Sequence, residues 1–354
     1  RVMPYTNGRL WDTRDKGLDD YQFSKVAKQW AVKTLRNNKL ALFTSTFGSR
    51  EEDGSRVVLA VMCPATKLWQ DTVVDFTTKL TDEFGVDGVY HDQIGASRPV
   101  LCMDPSHGHP VGGGSWWVDG YNKMLREIQQ QIPHDRTITT EDNAEPYIKY
   151  MDSMLTWFWE EDGLVPAYST VYGSAVQLFG RSHGATEDKN VVWPIKTGQS
   201  LAWGLQIGWI ASGTFFGSDQ STQNYYKDVI QARRRIGHYI YAGDMMRPPS
   251  LESNPTITSN WGTRRGHRTT ESVMTGAWKK YGENKAAFLF TNTTREDLSL
   301  KYEFNPEVYN IPTNYTVNSW NSAQSEEKVD TVNGSKSHEL ALPGLSAIVW
   351  EVSW

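Results

Sequence analysis

Apolar residues in the first 245 positions follow two alternating patterns. Short apolar runs that end in polar side chains are typical of buried strands, and apolar residues at three- and four-residue steps are typical of amphipathic helices. The first pattern predicts strands at Arg1–Asp12, Arg56–Pro64, within Phe84–Ala96, and at Arg136–Glu141, Met154–Trp159, Thr170–Phe179 and Ile210–Phe215. The second pattern predicts helices at Tyr21–Leu35, Leu68–Phe84, Ser115–Gln131, Pro194–Ile207 and Gln223–Tyr241.

Strands that alternate with helices favour a parallel sheet, and the number of units favours an α/β fold of the (β/α)8, TIM-type barrel class. Six or seven strands are predicted instead of eight, so the chain is expected to lack the first strand or strands of the barrel. From residue 246 onward, short alternating strands separated by Gly, Asn, Pro and Asp predict an antiparallel β-sandwich. We therefore predict a catalytic barrel domain over 1–245 and a C-terminal sandwich over 246–354.

Polar side chains cluster where the predicted parallel strands end. The side chains at the carboxyl ends of barrel strands face the active-site mouth. Two carboxylates, Asp92 and Glu141, end consecutive long strands, which predicts that they converge on one pocket. An alternative for Asp92 is an ordinary loop or helix-capping acid. The other strand-end residues are Arg9, Trp11, Asp12, Cys63 and His91.

A pair of carboxylates on neighbouring strands supplies the two catalytic groups that glycosidic bond cleavage requires. One acid protonates the leaving oxygen, and the other attacks the anomeric carbon or activates a water. Adjacent strands lie about 5 Å apart, which matches the carboxylate separation of a retaining enzyme. Asp142 and Glu145 are rivals to Glu141, but Glu145 precedes Pro146 and is typical of a helix start.

Composition changes this picture in one respect. The chain of 354 residues has 15 Trp and 16 Tyr against 12 Phe, and these amphipathic rings suit stacking against sugars as well as filling a core. The formal net charge is −5, with no basic stripe and no long apolar span. We therefore expect neither nucleic acid nor a membrane as a partner.

The Gly-rich loop Cys102–Gly114 contains a His-x-His pair, His107 and His109. Its glycines let the backbone approach a ligand, so hydrogen bonding to sugar hydroxyls is the favoured interpretation, with loop packing as the alternative. A metal site built from His91, Asp92, His107 and His109 is a further alternative.

The next helix begins with Trp116 and Trp117, which form either a stacking platform or a hydrophobic cover. The two cysteines, Cys63 and Cys102, can pair, but the sequence does not decide it.

The stretch "GVDGVYHDQIGA", the loop "HGHPVGGG" and "TTEDNAEPYI" together resemble an uncharacterised family of bacterial glycoside-hydrolase-like barrels. That family is similar in layout to the endo-α-N-acetylgalactosaminidases and to the α-amylase-type barrels. The resemblance covers about Arg1 to Tyr241, and it implies Asp92 as the nucleophile and Glu141 as the general acid/base. It also implies an α-linked substrate, although the loop between the two acids is longer than in the α-amylase-type pattern.

The residues and the resemblance together predict a retaining glycoside hydrolase with a carbohydrate substrate and no cofactor or metal. The predicted substrate-binding residues are Arg9, Trp11, Asp12, His91, His107, His109 and Trp116. Two alternatives stay open: a non-catalytic carbohydrate-binding barrel, and a metal-dependent hydrolase that uses the His91, Asp92, His107 and His109 set. A secreted or periplasmic location suits an enzyme that degrades polysaccharides.

Overall fold

The structure is a computed structural model that describes residues 1–354 except 16, 18, 45–47, 157, 158, 185, 263–265 and 325. The chain divides into two compact units, Arg1–Leu155 and Thr156–Trp354. From the sequence we expect a boundary between a catalytic and an accessory domain at 245/246. That functional boundary differs from the division into compact units and stays a prediction.

The described residues of the first unit form seven strands and two long helices. The strands are β1 (Tyr5–Asn7), β2 (Leu10–Asp12), β3 (Leu42–Phe43), β4 (Leu59–Val61), β5 (Gly88–Asp92), β6 (Thr137–Glu141) and β7 (Ser153–Leu155). The α-helices are α1 (Lys67–Asp82) and α2 (Trp116–Gln131). Shorter helical turns lie at Asp19–Tyr21, Phe23–Ala27, Lys28–Trp30, Pro105–His107 and Glu145–Tyr150.

Four strands of this unit form the parallel sheet that the sequence predicts, in the order β1-β5-β6-β7. Val89 of β5 and Ile138 of β6 are buried in the core of this unit. The helices α1 and α2 confirm the two predicted amphipathic helices within two residues at each end. Strand order and helix positions agree with an α/β fold, in which parallel strands are joined by helical crossovers.

The predicted first strand, Arg1–Asp12, is wrong in its second half. The chain leaves the parallel sheet after Asn7, and Leu10–Asp12 pairs antiparallel with β4. The Asn7 side-chain oxygen accepts hydrogen bonds from the backbone N–H groups of Arg9 and Leu10, which closes a turn at this point. Strand β4 also pairs antiparallel with β3, so Cys63 does not follow a parallel strand as predicted.

The predicted helix Tyr21–Leu35 is also wrong, because only short turns occupy Asp19–Trp30. Beyond them, the backbone N–H of Val32 donates to Val61, and the N–H of Ala41 donates to Val32. Residues after Trp30 are therefore held in extended pairing with β4, and this tertiary pairing overrides the helical spacing of the apolar residues.

The second unit contains four helices and eleven strands among its described residues. The helices are α3 (Ala167–Tyr172), α4 (Val192–Ala202), α5 (Ser212–Phe215) and α6 (Gln220–Tyr241). The first six strands are β8 (Gln177–Phe179), β9 (Gly243–Met245), β10 (Thr256–Asn260), β11 (His267–Glu271), β12 (Val273–Lys280) and β13 (Lys285–Asn292). The others are β14 (Leu298–Phe304), β15 (Asn314–Asn321), β16 (Glu326–Asn333), β17 (Lys336–Leu342) and β18 (Ser346–Ser353). A short 3-10 helix spans Pro306–Tyr309.

A six-stranded antiparallel sheet, β16-β15-β18-β13-β12-β9, organises this unit. Its central strand β13 alternates between two cores: Ala287 and Leu289 pack with residues of α4 and α6, whereas Phe288 and Phe290 pack with residues of β14 and β17. This period of two confirms the antiparallel, sheet-rich C-terminal region. Both faces are covered, one by helices and one by the two-stranded sheet.

Two predicted strands before α6 are wrong in part. Thr170–Phe179 begins inside α3 and becomes extended only at β8, and Ile210–Phe215 ends in the short helix α5. Short apolar runs do not distinguish a buried strand from a buried helix, and these two runs were of that kind. Of the predicted strand Met154–Trp159, only the part up to Leu155 is a strand, and 157 and 158 lie outside the described residues. No described helix combines the length and the hydropathy needed to cross a membrane.

Candidate active site

Asp92 and Glu141 are the last residues of the neighbouring parallel strands β5 and β6. The register pairs His91 with Thr140, so the two acids follow paired residues at the same level of the sheet. Paired residues of parallel strands project to the same face, and the carboxyl ends meet at one edge. The structure thus brings together the two acids that the sequence singled out.

The Asp92 carboxylate is held by donors from strand β1. Its Oδ2 accepts a hydrogen bond from the Tyr5 hydroxyl at 2.6 Å and another from the Asn7 side-chain amide at 3.2 Å. The register pairs Asn7 with Asp92 directly, which places this amide beside the carboxylate. Only 8% of Asp92 is exposed. Two donors on one carboxyl oxygen fix the orientation of the Asp92 side chain.

Glu141 is half-buried beside Asp92, and its pKa is raised to about 8. Burial is the largest cause, followed by hydrogen bonding with Asp92 and by repulsion from the charges of Asp92 and Asp142. Glu141 therefore keeps its proton at neutral pH and donates it toward Asp92. A carboxyl group that stays protonated beside a second carboxyl group is an arrangement suited to an acid–nucleophile pair.

The backbone after each acid adopts the same unusual conformation. Gln93 has φ of 63° and Asp142 has φ of 58°, both in the left-handed region, which Asp adopts more readily than Gln does. Backbone strain of this kind is concentrated at functional sites. It turns the chain sharply away from the sheet directly after each carboxylate, so that the acids stand at the edge.

Gly95 allows the turn after β5 to lie against the end of β6. A side-chain carbon added at Gly95 would come within 2.5 Å of the Glu141 carbonyl oxygen. The Gly95 N–H donates to the Thr140 hydroxyl, and that hydroxyl donates to the His91 carbonyl. This chain of contacts ties the ends of the two acid-bearing strands to each other.

Tyr5 and Tyr90 form an aromatic surface next to the acids. Their rings stack with centroids 5.9 Å apart, and Tyr5 is 64% exposed. The pKa of Tyr5 is raised to about 12 by desolvation and by its hydrogen bond to Asp92, so the hydroxyl remains a donor. A flat, accessible ring beside a carboxylate suits the apolar face of a sugar ring.

The other acids near β6 occupy different positions. Asp142 stands beside Glu141 and acts on it through its charge. Glu145 begins the 3-10 helix Glu145–Tyr150 and is exposed. The geometry therefore favours Glu141 over both rivals as the partner of Asp92.

Arg9, Trp11 and Asp12 lie in or next to β2 instead of at the end of a parallel strand. Arg9 is buried and donates to the Gln93 side chain at 3.1 Å, which places it one residue from Asp92. Trp11 is buried, donates to the Tyr21 carbonyl, and its ring packs against Trp69. The Asp12 carboxylate accepts from the backbone of Arg14 in a local turn.

His91 points away from the acids, into the opposite face of the sheet. It is 1% exposed, and its two ring nitrogens contact the hydroxyls of Thr6 at 2.8 Å and Thr77 of α1 at 3.2 Å. Burial lowers the pKa of His91 to about 4, so the ring is neutral at pH 7. The alternation of side chains along β5 accounts for this, because His91 and Asp92 are consecutive.

His107, His109 and Trp116 are buried together. The His109 ring stacks on Trp116 at 3.8 Å, and the Trp116 indole N–H donates to the Gly112 carbonyl. Among the described residues, no hydrogen bond or ring contact joins these three side chains, or Trp11 and His91, to Asp92 or Glu141. Their predicted role in substrate binding stays a prediction that this placement does not favour.

The metal set of His91, Asp92, His107 and His109 is not assembled. In the part of the chain that the structure describes, the potential metal-ligand cluster that contains His107 and His109 is completed by Cys63 and Cys102. Both cysteines are free thiols.

Sequence reasoning missed Tyr5 and the amide of Asn7 as partners of Asp92. The signal was present as "YTN", in which residues two apart share one face of a strand. That signal becomes specific only when β1 is known to stop at Asn7 and to pair with β5.

The parallel sheet and its helical crossovers place this unit in the α/β class, and paired acids at neighbouring strand ends are the groups that glycosidic cleavage uses. The sequence model of one protein family, the domain of unknown function DUF6259, matches residues 1–183, just over half of the chain. The chain therefore belongs to this family. The matched segment contains both acids and all of their contacts described above. The prediction of an uncharacterised, glycoside-hydrolase-like family is confirmed.

Two curated relatives carry names that agree with this architecture. A Bacteroides thetaiotaomicron protein named "Putative glycoside hydrolase" is 30% identical over 255 residues, covering 68% of this chain and 35% of that protein. A Monosiga brevicollis protein named "Putative glycoside hydrolase 22789" is 27% identical over 282 residues, covering 72% of this chain and 23% of that protein. The chain thus spans about a third or less of these relatives.

Among solved structures, a noncanonic maltogenic α-amylase from Thermotoga neapolitana is similar with a TM-score of 0.57. The match covers 99% of this chain and 77% of that chain at 10% identity. At this identity the likeness concerns the fold alone.

Proposed function

We propose that this chain is the catalytic part of a glycoside hydrolase that acts on a carbohydrate substrate. The observation that carries the proposal is the position of Asp92, whose Oδ2 accepts two hydrogen bonds, beside a protonated Glu141 at adjacent strand ends. Cleavage of a glycosidic bond needs a proton donor and a carboxylate that reach the same anomeric centre. A carbohydrate-binding protein without turnover has no need of a protonated acid held beside a second carboxyl group.

We propose a retaining mechanism with Asp92 as the nucleophile. Its Oδ1 receives neither of the two hydrogen bonds from β1, and in this mechanism it attacks the anomeric carbon. Glu141 gives its proton to the leaving oxygen as the glycosyl–Asp92 ester forms, and then takes a proton from the water that hydrolyses the ester. The hydrogen bond between the two carboxyl groups that helps to raise the pKa of Glu141 supports retention, because inverting pairs stand about 6.5–9.5 Å apart to admit a water.

The finer features of the proposal rest on resemblance. An α-linked substrate and closure of the parallel strands into a (β/α)8 barrel are properties of the α-amylase-type barrels that the motifs resemble. We also propose that residues 1–245 form the catalytic domain and that 246–354 are accessory. Arg9 acts in this scheme as a positioning residue that holds Gln93, the residue next to the nucleophile.

The decisive experiment traps the glycosyl–enzyme intermediate. The protein is incubated with panels of α- and β-configured 2-deoxy-2-fluoroglycosyl fluorides, which form the ester and hydrolyse it slowly, and its intact mass is measured. We expect one glycosyl adduct that peptide mapping places on Asp92, and no adduct on the Asp92→Asn variant. An adduct on another acid would overturn the assignment. Release of inverted product from an aryl glycoside, determined by NMR, would overturn retention.

A further inference from the structure

The loop before α2 and the segment after β4 meet in a buried cluster of four metal-ligand side chains: Cys63, Cys102, His107 and His109. One ligand atom from each residue lies within 4.8 Å of the others, and the four residues are buried. The sequence separates Cys63 from the remaining three by 38 intervening residues, and the fold brings them together.

The hydrogen bonds of the two imidazoles leave one nitrogen of each ring for a ligand. His107 Nε2 lies 2.9 Å from the Gln29 carbonyl, and its Nδ1 lies 3.3 Å from the Cys102 sulfur. A carbonyl oxygen only accepts, so Nε2 carries the proton and Nδ1 presents a lone pair to the cluster. Metal-bound histidines characteristically donate their second N–H to a backbone carbonyl or a carboxylate in this way.

His109 repeats this arrangement with the opposite tautomer. Its Nδ1 donates to the Pro110 carbonyl at 2.8 Å, which leaves Nε2 as the unprotonated nitrogen. His109 is 8% exposed, and its Nε2 has no hydrogen-bond partner among the described residues. Burial removes the hydrogen bond that water would give to this nitrogen lone pair. This cost in free energy is offset if an ion binds to the lone pair.

The surroundings orient these ligands. Asp104 caps the short helix Pro105–His107 through the Ser106 N–H, and its other oxygen lies 3.5 Å from His107 Nε2. Gly108 has φ of 78°, a left-handed turn that brings His109 back to the same side as His107. Trp116 then fixes the His109 ring by stacking on it.

We propose that Cys63, Cys102, His107 and His109 form a structural zinc site that fastens the Cys102–Gly114 loop to the segment after β4. Two sulfurs and two imidazole nitrogens are a set that Zn²⁺ prefers, and four protein ligands leave no open position for a catalytic water. In a regular tetrahedral site the ligand atoms would stand about 3.3–3.8 Å apart, so the observed cluster needs little rearrangement. On binding, zinc displaces the remaining thiol protons to solvent. This proposal differs from the expectation of no metal and from the set with His91 and Asp92, and it is independent of the glycosidase proposal.

The test measures zinc in the full chain without reference to catalysis. The purified protein is dialysed with an equimolar amount of Zn²⁺, and zinc per chain and free thiols are determined. Zinc is then replaced by Co²⁺, whose thiolate charge-transfer bands and intense visible bands report tetrahedral sulfur ligation. We expect one zinc per chain, protection of both thiols until zinc is removed, and a cobalt spectrum with thiolate bands.

The matched variants are His109→Gln in the cluster and His134→Gln as the control. His134 is exposed and lies outside the cluster. His109→Gln should weaken zinc binding by more than the ~10–100-fold that loss of an outer-shell partner costs, and His134→Gln should leave it unchanged. Cys63→Ser should reduce the thiolate bands, because Cys102 is then the only sulfur ligand left in the cluster. The wild-type spectrum decides the question if that variant does not fold.

Three results would overturn the proposal. One is a Cys63–Cys102 disulfide in the isolated protein with no zinc bound after reduction. A second is a reduced protein that binds no zinc while both thiols react freely. The third is equal zinc binding by His109→Gln and wild type.

Discussion

The Tyr5 hydroxyl donates a hydrogen bond of 2.6 Å to Oδ2 of Asp92, a residue 87 positions further along the chain, on the neighbouring strand. This contact, together with the Asn7 amide, leaves Oδ1 of Asp92 as the oxygen that faces the bound sugar in the proposed mechanism. Tyr5 is thereby a positioning residue for the proposed nucleophile.

Replacing Tyr5 by Phe should lower kcat/KM by about ten- to a hundredfold, because a hydrogen bond to a charged group contributes about 1.5–3 kcal/mol. The ring and its stacking on Tyr90 are kept, so KM for the sugar should change less than kcat. Michaelis–Menten kinetics on an aryl glycoside measure both. Tyr21→Phe is the control, since the hydrogen bond recorded at Tyr21 uses its backbone carbonyl. A Tyr5→Phe enzyme as active as this control would remove Tyr5 from the site.

The raised pKa of Glu141 predicts the pH dependence of activity. The acid must be protonated to assist the leaving group, so kcat/KM should fall as pH rises through about 8. In Asp92→Asn two of the causes that raise this pKa are lost, and the pKa of Glu141 should move down while burial keeps it above its ordinary value. Carbon-13 NMR of labelled glutamate carboxyls measures it directly. An unchanged Glu141 pKa in the Asp92→Asn variant would contradict the coupling.

The same shift predicts a pH dependence of stability. A folded-state pKa above the unfolded value means that the folded protein binds more protons between about pH 4.5 and pH 8. The Glu141 contribution to the free energy of unfolding is therefore fully present below the unfolded pKa and is lost as pH rises through about 8. Glutamine is neutral at every pH, so the Glu141→Gln variant does not lose this contribution. Its melting temperature should therefore exceed that of wild type by the largest margin at pH 8 and above. Equal differences at pH 4.5 and pH 8.5 would argue against the shift.

Asp92→Asn and Glu141→Ala should fail in different ways. The first cannot form the glycosyl ester and should be inactive on every substrate, whereas the second should retain activity on substrates with activated leaving groups. Azide should restore turnover by Glu141→Ala, because a small anion attacks the ester without general-base help, and the glycosyl azide should keep the substrate configuration. Equal losses on activated and natural substrates, with no azide effect, would contradict the assigned roles.

Gly95→Ala should disturb the site without touching either acid. The new methyl carbon would overlap the Glu141 carbonyl at 2.5 Å, so the end of β6 must shift. Displacing a catalytic group by a fraction of an ångström should reduce kcat roughly ten- to a hundredfold. Gly113→Ala is the matched control, because no atom lies within 4 Å of a side-chain carbon built there. Similar kinetics for the two variants would show that this contact does not position Glu141.

Deleting residues 246–354 should make the remaining chain aggregate. Helices α4 and α6 pack their apolar faces, including Trp193 and Ile236, against the C-terminal sheet, and deletion exposes these faces to water. Light scattering and soluble yield of a 1–245 chain measure the effect. A monomeric 1–245 chain with the melting temperature of the full chain would contradict the supporting role of the sheet.

The sequence by itself determined the acid pair and the long elements around it. Asp92 and Glu141 were recognisable because each follows a short apolar run, and α1, α2 and α6 because an apolar stripe at helical spacing extends over many turns. The register of adjacent parallel strands then makes neighbours of two strand-end residues, which is a local property of the pattern.

Only the tertiary structure decided which other side chains join them. Arg1–Asp12 has one continuous pattern, yet β1 pairs with β5 and β2 turns away to pair with β4, so Tyr5 reaches Asp92 and Trp11 does not. Likewise, the residues near His107 and His109 in the sequence do not indicate that Cys63 is their neighbour. Cys63 lies beside them because the chain after β4 packs against the Cys102–Gly114 loop. The free energy of packing between distant segments decides which strands pair. The spacing of apolar and polar residues along the chain does not show which distant segments will meet.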